Sequence, residues 1–281
     1  MAAAVSRTPQ DLSIRPRDLA FGRGRSPARW WLNGDPVASA VFDALSATFP
    51  QGERFFMDSL RPYRDKVPPQ LKAQIAAFIT QEALHTREHV AFNRHIVEQG
   101  HDLAAMEARS KAMLDEGRAR APHVQLAATV AMEHFTAILA HLVLSNPSLL
   151  EGADPETAKL WRWHSIEEIE HKAVAYDTLL HISASVPAWK RWIFRSSVMM
   201  HTTGRFLLAI SRNVLQILRE DGLDNAATRR ALLGYLLFRP GVLRRVVLPW
   251  LSFFRPGFQP WDHDDRALVV RAEQELTAQA A

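Results

Sequence analysis

Two tetrads in the chain share the spacing Glu-x-x-His: Glu82-Ala-Leu-His85 and Glu168-Ile-Glu-His171. On an α-helix the i, i+3 spacing sets carboxylate and imidazole on one face. The carboxylate could then bridge two metal ions while the histidine, one turn on, caps one of them. The 15 Glu and 12 His of the chain would yield roughly 0.6 such pairs by chance, counting only this helical spacing. A third pair, Glu98-Gln-Gly-His101, straddles Gly100. Glycine ends helices, so these two side chains are not expected to share a face.

Two further glutamates complete a pattern. Glu53 has Phe49, Phe56 and Met57 as neighbours at helical spacing, and Glu133 has Val130, Ile138 and Leu139. An acid on a core-facing stripe needs a partner or a metal, because an isolated buried carboxylate is heavily penalised. The order Glu, Glu-x-x-His, Glu, Glu-x-x-His, with one set per long helix, is that of dinuclear iron or manganese carboxylate bundles. Four carboxylates can offset two divalent charges, and oxygen plus imidazole donors suit either metal. The structural alternative is a set of buried ion pairs tying the helices together.

Around these six residues lie candidates for supporting roles. His164, Glu168 and His171 fall at i, i+4 and i+7, so His164 could be a seventh ligand or a packed core residue. His89 continues the stripe of Glu82 and His85 with less support. Gln81 and Glu167 immediately precede the two bridging candidates and are placed to hydrogen-bond a histidine of the opposite helix, as groups that orient metal ligands do. His134 points about one helical step away from Glu133. His95, His141 and His181 read as packing or surface residues, and the eight Trp as core or interface.

The elements that must position these residues are helices. A first is expected over about 36–61 with a break at Pro50–Gly52, a second from Pro68–Pro69 to Gly100, and a satellite over 102–120. A third runs from Pro122 to Asn146–Pro147, and a fourth from Asp154–Pro155 to Ser183; Pro is tolerated in a first turn and Asp caps well. No run alternates with period two. The expected fold is all-α, a ferritin-like four-helix bundle over about 36–183 with additional C-terminal helices over about 188–254. Residues 1–28, rich in Arg, Pro, Ser and Gly, read as a flexible arm. Residues 29–265 form one helical domain, and 266–281 a tail.

Composition narrows the chemistry. The 281 residues include no cysteine, which excludes disulfides, Cys zinc sites, iron–sulfur clusters and a Cys nucleophile. The net charge is +4 and the cations are 28 Arg against 6 Lys. No secretory signal is visible, and the best apolar run, Ile193 to Leu218, is broken by Arg195, His201, Arg205 and Arg212. A cytoplasmic protein is expected, with membrane contact through the C-terminal helices as one option. Residues 190–245 carry eleven Lys/Arg and three Asp/Glu among apolar and aromatic residues. Such helices can lie on anionic lipid, form a lid or homodimer surface, or pack with a solvated Arg face. No nucleic-acid motif accompanies the charge.

Several segments together carry a resemblance. Trp30-Trp-Leu-Asn-Gly-Asp-Pro, Phe49-Pro-Gln-Gly-Glu-Arg-Phe-Phe, Gln81-Glu-Ala-Leu-His, Met132-Glu-His-Phe-Thr and Trp163-His-Ser-Ile-Glu-Glu-Ile-Glu-His-Lys resemble the bacterial family labelled "predicted metal-dependent hydrolase" over about residues 30–265. With His164 added, the ligand set is also similar to that of the p-aminobenzoate N-oxygenases, ferritin-like di-iron enzymes; only those motifs match, and substrate does not transfer. The resemblance implies two iron ions, or manganese, held by Glu53, Glu82, His85, Glu133, Glu168 and His171. Glu82 and Glu168 would bridge them at the catalytic centre, and His164 would complete one iron. The implied chemistry is O2 activation with an external electron donor, oxidising a small or lipid-like organic substrate. A metal-dependent hydrolase with a metal-held hydroxide as nucleophile is the alternative, followed by a ferroxidase and by a non-catalytic scaffold.

Overall fold

The computed structural model describes residues 6–278. Residues 1–5 of the expected arm and 279–281 of the expected tail lie outside the described residues. Twelve α-helices are formed among them, with no β-strand; one isolated antiparallel bridge pairs Leu32 with Ala153. The fold is all-α.

The first long segment divides into α1 (Pro36–Ser46) and α2 (Phe49–Leu60). Asp35 caps α1 by accepting from the Val37 and Ala38 backbone N–H groups. The break falls at Ala47–Thr48 and not at the expected Pro50–Gly52, because Pro50 sits in the first turn of α2, where its missing N–H has no partner to lose. The second segment gives α3 (Pro69–Phe92) and α4 (Arg94–Glu98), separated at Asn93. Asn93 turns inward instead, its Nδ2 donating to the Ser46 carbonyl at 3.1 Å. After α5 (Leu103–Arg118) and α6 (Pro122–Ser145), the fourth segment divides into α7 (Pro155–His171) and α8 (Val174–Ile182). Asp154 caps α7 through the Thr157 N–H.

Helices α2, α3, α6 and α7 pack on one another around Phe55, Phe56, Leu60, Phe78, Leu126 and Phe135. Helix α6 is long and apolar enough to cross a membrane, but most of its surface is buried by its neighbours in the bundle. The C-terminal third forms α9 (Ala188–Glu220), α10 (Ala226–Leu237) and α11 (Val242–Ser252). Helix α9 lies on α1 and α6, and α11 on α6 and α10. The segment expected as a tail contains α12 (Arg266–Ala278), which packs against α7. A lone helix of this length is marginal in water, so it forms by burying Val269 and Ala272 beside Ile166, Ile169 and Trp261.

Residues 6–28 are without helix and run along the outside of the bundle, where they meet acids from several helices. Ser6 and Thr8 both donate to Asp177 of α8 at 2.6 Å. Arg17 pairs with Glu170 at 2.6 Å and with Glu273 of α12. The Phe21 N–H donates to Glu88 of α3 at 3.1 Å, and its ring lies 5.3 Å from that of Trp163.

Candidate metal centre

Four helices deliver seven side chains to one buried cluster: Glu53 from α2, Glu82 and His85 from α3, Glu133 from α6, and His164, Glu168 and His171 from α7. Each is at most 4% exposed. The three-residue spacing works as the helix geometry requires, since Glu82 and His85, and Glu168 and His171, each point to the same side. His171 Nε2 lies 3.3 Å from a Glu82 oxygen, 3.5 Å from one of Glu133 and 3.5 Å from one of Glu168. His85 Nδ1 lies 3.8 Å from Glu82 and 3.5 Å from Glu168.

The donor atoms fall into overlapping groups, each compact enough to surround an ion. Glu53, Glu82 and His85 form one, Glu82, Glu168 and His171 a second, His85, His164 and Glu168 a third, and Glu53, His89 and His164 a fourth; within each the ligand atoms lie within 4.8 Å of one another. Glu82 and Glu168 each face both histidines of the Glu-x-x-His tetrads, so they occupy the middle. Eight buried atoms of this cluster make no hydrogen bond: Glu53 Oε1, both oxygens of Glu82 and of Glu133, Glu168 Oε2, His85 Nδ1 and His171 Nε2. Buried polar groups in folded proteins are almost always paired. Atoms orphaned together, all aimed inward and all hard oxygen or imidazole nitrogen, fit a pair of divalent ions.

Electrostatics of the metal-free cluster point the same way. Burial pushes the Glu53 carboxyl up to about 8. Burial, then repulsion from Glu168, holds Glu82 and Glu133 well above the usual carboxylate range. For Glu168 burial is outweighed by His171, His164 and His85, and its carboxyl stays well below that range. His85 is raised to about 10 because Glu167 and Glu168 overcome its desolvation. Carboxyls raised in this way favour their protonated forms, and a divalent ion bound among them would displace those protons.

The remaining nitrogen of each tetrad histidine is held by the opposite helix. His85 Nε2 donates to Glu167 Oε2 at 3.0 Å, and His171 Nδ1 donates to Gln81 Oε1 at 2.9 Å. Gln81 and Glu167 therefore do what their positions suggested, leaving His85 Nδ1 and His171 Nε2 free to face the cluster. The two supports differ in charge: a carboxylate for His85, an amide for His171. Thr86 Oγ1 donates to Glu53 Oε2 at 2.8 Å.

His164 Nε2 lies 3.0 Å from Glu168 Oε1, and its Nδ1 is 2.8 Å from His89 Nε2. His89 Nδ1 in turn is 2.8 Å from Ser46 Oγ. His89 therefore links His164 to Ser46 and also lies close enough to Glu53 to form a further donor group with it and His164. Burial holds His89 well below, and His164 down at about 4, on the imidazole scale, so both are neutral near pH 7.

Sequence reasoning overlooked the layer beyond. The Arg17 N–H donates to Glu167 Oε1 at 2.8 Å, the Arg15 N–H donates to Glu170 Oε2 at 3.1 Å, and Gln81 Nε2 donates to Glu170 Oε2 at 2.9 Å. The available signal was Glu170 itself, three residues after Glu167 on the same face. Elsewhere, His134 bonds the Pro249 carbonyl at 3.1 Å, buried His95 bonds Asp43 at 3.0 Å, and His141 lies beside Asp265 and His263 at the surface. Glu98 and His101 go separate ways: the former accepts from Ser26 and the latter lies 3.2 Å from Glu220.

Two small cavities of about 50 Å³ each adjoin the cluster. Both touch Phe49, Thr136, Leu139, His164 and Glu168. Their walls are almost wholly apolar, so the approach to Glu168 and His164 is dry.

No curated protein and no solved structure matches this chain significantly. One family does: it is described as "Predicted metal-dependent hydrolase" and matches residues 15–264. That description agrees with the family resemblance and names hydrolysis, the alternative among the reactions expected from the sequence. Since the match takes in the bundle, every residue of the buried cluster and the helices that cover it, the chain belongs to the predicted metal-dependent hydrolase family.

Proposed function

We propose that the protein is a dinuclear metalloenzyme of the di-iron carboxylate, ferritin-like type. Glu53, Glu82, His85, Glu133, Glu168 and His171 would hold two ions, with Glu82 and Glu168 as the carboxylates shared between them and His164 as a seventh donor. The observation that carries this reading is the convergence of eight orphaned buried donor atoms on a dry space. In our reading the reaction is oxidative: O2 and an electron donor are consumed, and a small or lipid-like organic molecule is oxidised in the cytoplasm or at a membrane surface. Two iron ions, when bound, supply the electrons and coordination positions at which O2 is reduced; manganese fits the same donors.

The chain's own residues supply the rest. Glu167 and Gln81 hold the two histidines in the required tautomer and orientation. Phe49, Phe56 and Leu139 wall the cavities and exclude stray water, as oxidative chemistry requires. The His164–His89–Ser46 chain can hold or pass a proton at His164 Nδ1. A second reading, hydrolysis, is favoured by the family's description. It uses the same ligands with water as co-substrate and accepts manganese or zinc.

The test is anaerobic loading with Fe(II), followed by rapid mixing with O2 under an optical probe. A transient absorption that decays as O2 is consumed supports the oxidative reading. Ester or amide turnover without O2, in the manganese or zinc form, would replace it with the hydrolytic one. Failure to bind two metals per chain sinks both.

A further inference from the structure

Helices α9, α10 and α11 leave a large apolar surface unpartnered. Along α9, Trp189, Ile193, Met200 and Leu207 follow one another at helical spacing, and all are exposed, Trp189 by 59%. This stripe runs along a helix of 33 residues, about 50 Å long at 1.5 Å per residue. On α10 and just after it, Leu233, Leu237 and Phe238 are exposed, Phe238 by 71%. On α11 the exposed residues are Val247, Leu248 and Leu251, Leu248 by 74%. Helix α9 is tied to α11 and to the residues just after it: Trp250 Nε1 donates to Thr203 Oγ1 at 3.0 Å, and Trp192 Nε1 to the Phe254 carbonyl at 2.7 Å. Isolated exposed apolar residues are ordinary, but a patch shared by three adjacent helices marks an interaction surface.

Charge selects the occupant. The three acids of residues 190–245 are all engaged: Glu220 with His101, Asp221 with Arg29, and Asp224 with Arg229. Arg212, Arg230, Arg239, Arg244 and Arg245 are exposed and form no ion pair among the described residues. A second copy of this chain pairing through the same face would set these arginines against each other. A surface that is apolar, aromatic at its margins and uniformly cationic complements one environment best, the interface of a bilayer carrying anionic lipid.

We infer that the α9–α11 face docks on an anionic lipid bilayer, with Trp189, Phe238 and Leu248 inserted at the headgroup boundary and the arginines on lipid phosphates. This inference is independent of the metal chemistry. It is tested by flotation of the full-length protein with phosphatidylcholine vesicles, alone or with phosphatidylglycerol at about 30%. Binding is expected only to the anionic vesicles and should weaken at high salt. Arg244→Glu/Arg245→Glu is expected to lower the vesicle affinity at least tenfold, since each basic residue near such a surface is worth about fivefold. Phe238→Glu/Leu248→Glu should lower it similarly, with unchanged melting curves because these side chains are already in water. No flotation at either composition would overturn the inference, as would binding that neither double variant weakens. A two-chain mass by light scattering that Phe238→Glu/Leu248→Glu reduces to one would also overturn it, assigning the face to a second copy.

Discussion

Replacing Glu167 by glutamine tests whether the buried cluster holds metal through its tetrad histidines. Glu167 is fully buried and faces donors only: His85 Nε2 at 3.0 Å on one oxygen, and the Arg17 N–H at 2.8 Å on the other. A glutamine of the same shape offers one acceptor and one donor, so one of these two N–H groups must meet an NH2. The loss of a hydrogen bond to a charged group is worth about 1.5–3 kcal/mol. Partners of this kind typically change metal affinity by about 10–100-fold, which is about 1.4–2.7 kcal/mol. The effect should fall on the ion beside His85 and spare the one beside His171, whose imidazole leans on Gln81 instead. Titration of the metal-free protein with Fe(II) or Mn(II) against a competing chelator should therefore turn biphasic, with one equivalent bound as in wild type and one weakened. The mirror variant, Gln81→Leu, should weaken the other equivalent. Equal weakening of both ions by Glu167→Gln, or no weakening at all, would refute the reasoning.

Three further outcomes follow from the same geometry. Glu82→Leu removes two orphaned buried oxygens, so it should stabilise the metal-free protein by about 1–3 kcal/mol while abolishing metal binding; calorimetry with and without chelator checks the opposite signs. Between about pH 6.5 and 8 the metal-free protein should lose stability as pH rises, because Glu53, held up to about 8, and His85, held up to about 10, bind protons that the unfolded chain has released. The slope is about 2 kcal/mol per pH unit, since each of the two groups holds most of one extra proton. Below that window His164, held down to about 4, acts in the opposite sense, and denaturant melts at several pH values read both limbs. Phe78→Ala, at a fully buried ring 4.7 Å from that of His171, should cost about 3–5 kcal/mol in the same melts.

The helices and the convergence of the two tetrads were legible because both rest on local periodicity. Glu82 with His85, and Glu168 with His171, share a face in any α-helix, and apolar neighbours told which way Glu53 and Glu133 would point. What local spacing does not encode is pairing between distant segments. Nothing in an Arg- and Pro-rich stretch says that Arg17 will find Glu167, 150 positions away. Helix α12 was missed for a related reason: its residues form a helix only against Ile166 and Ile169. His89 sits on the same stripe one turn beyond His85, where it bonds His164 and Ser46 and also comes within reach of Glu53 at the edge of the cluster.

The tie between residues 15–17 and α7 also orders events in time. Their backbone N–H groups bond Glu170 and Glu167, 155 and 150 positions later. Residues 15–17, made before α7, thus cannot take their place until α7 has been made and packed. While the chain is being completed, the outer flank of the cluster at Glu167 and Glu170 lies open to solvent, and the N-terminal stretch closes over it as a seam. In the folded chain that seam covers the cluster on this side, and any ion held there would be shielded by the backbone of Arg15 and Arg17.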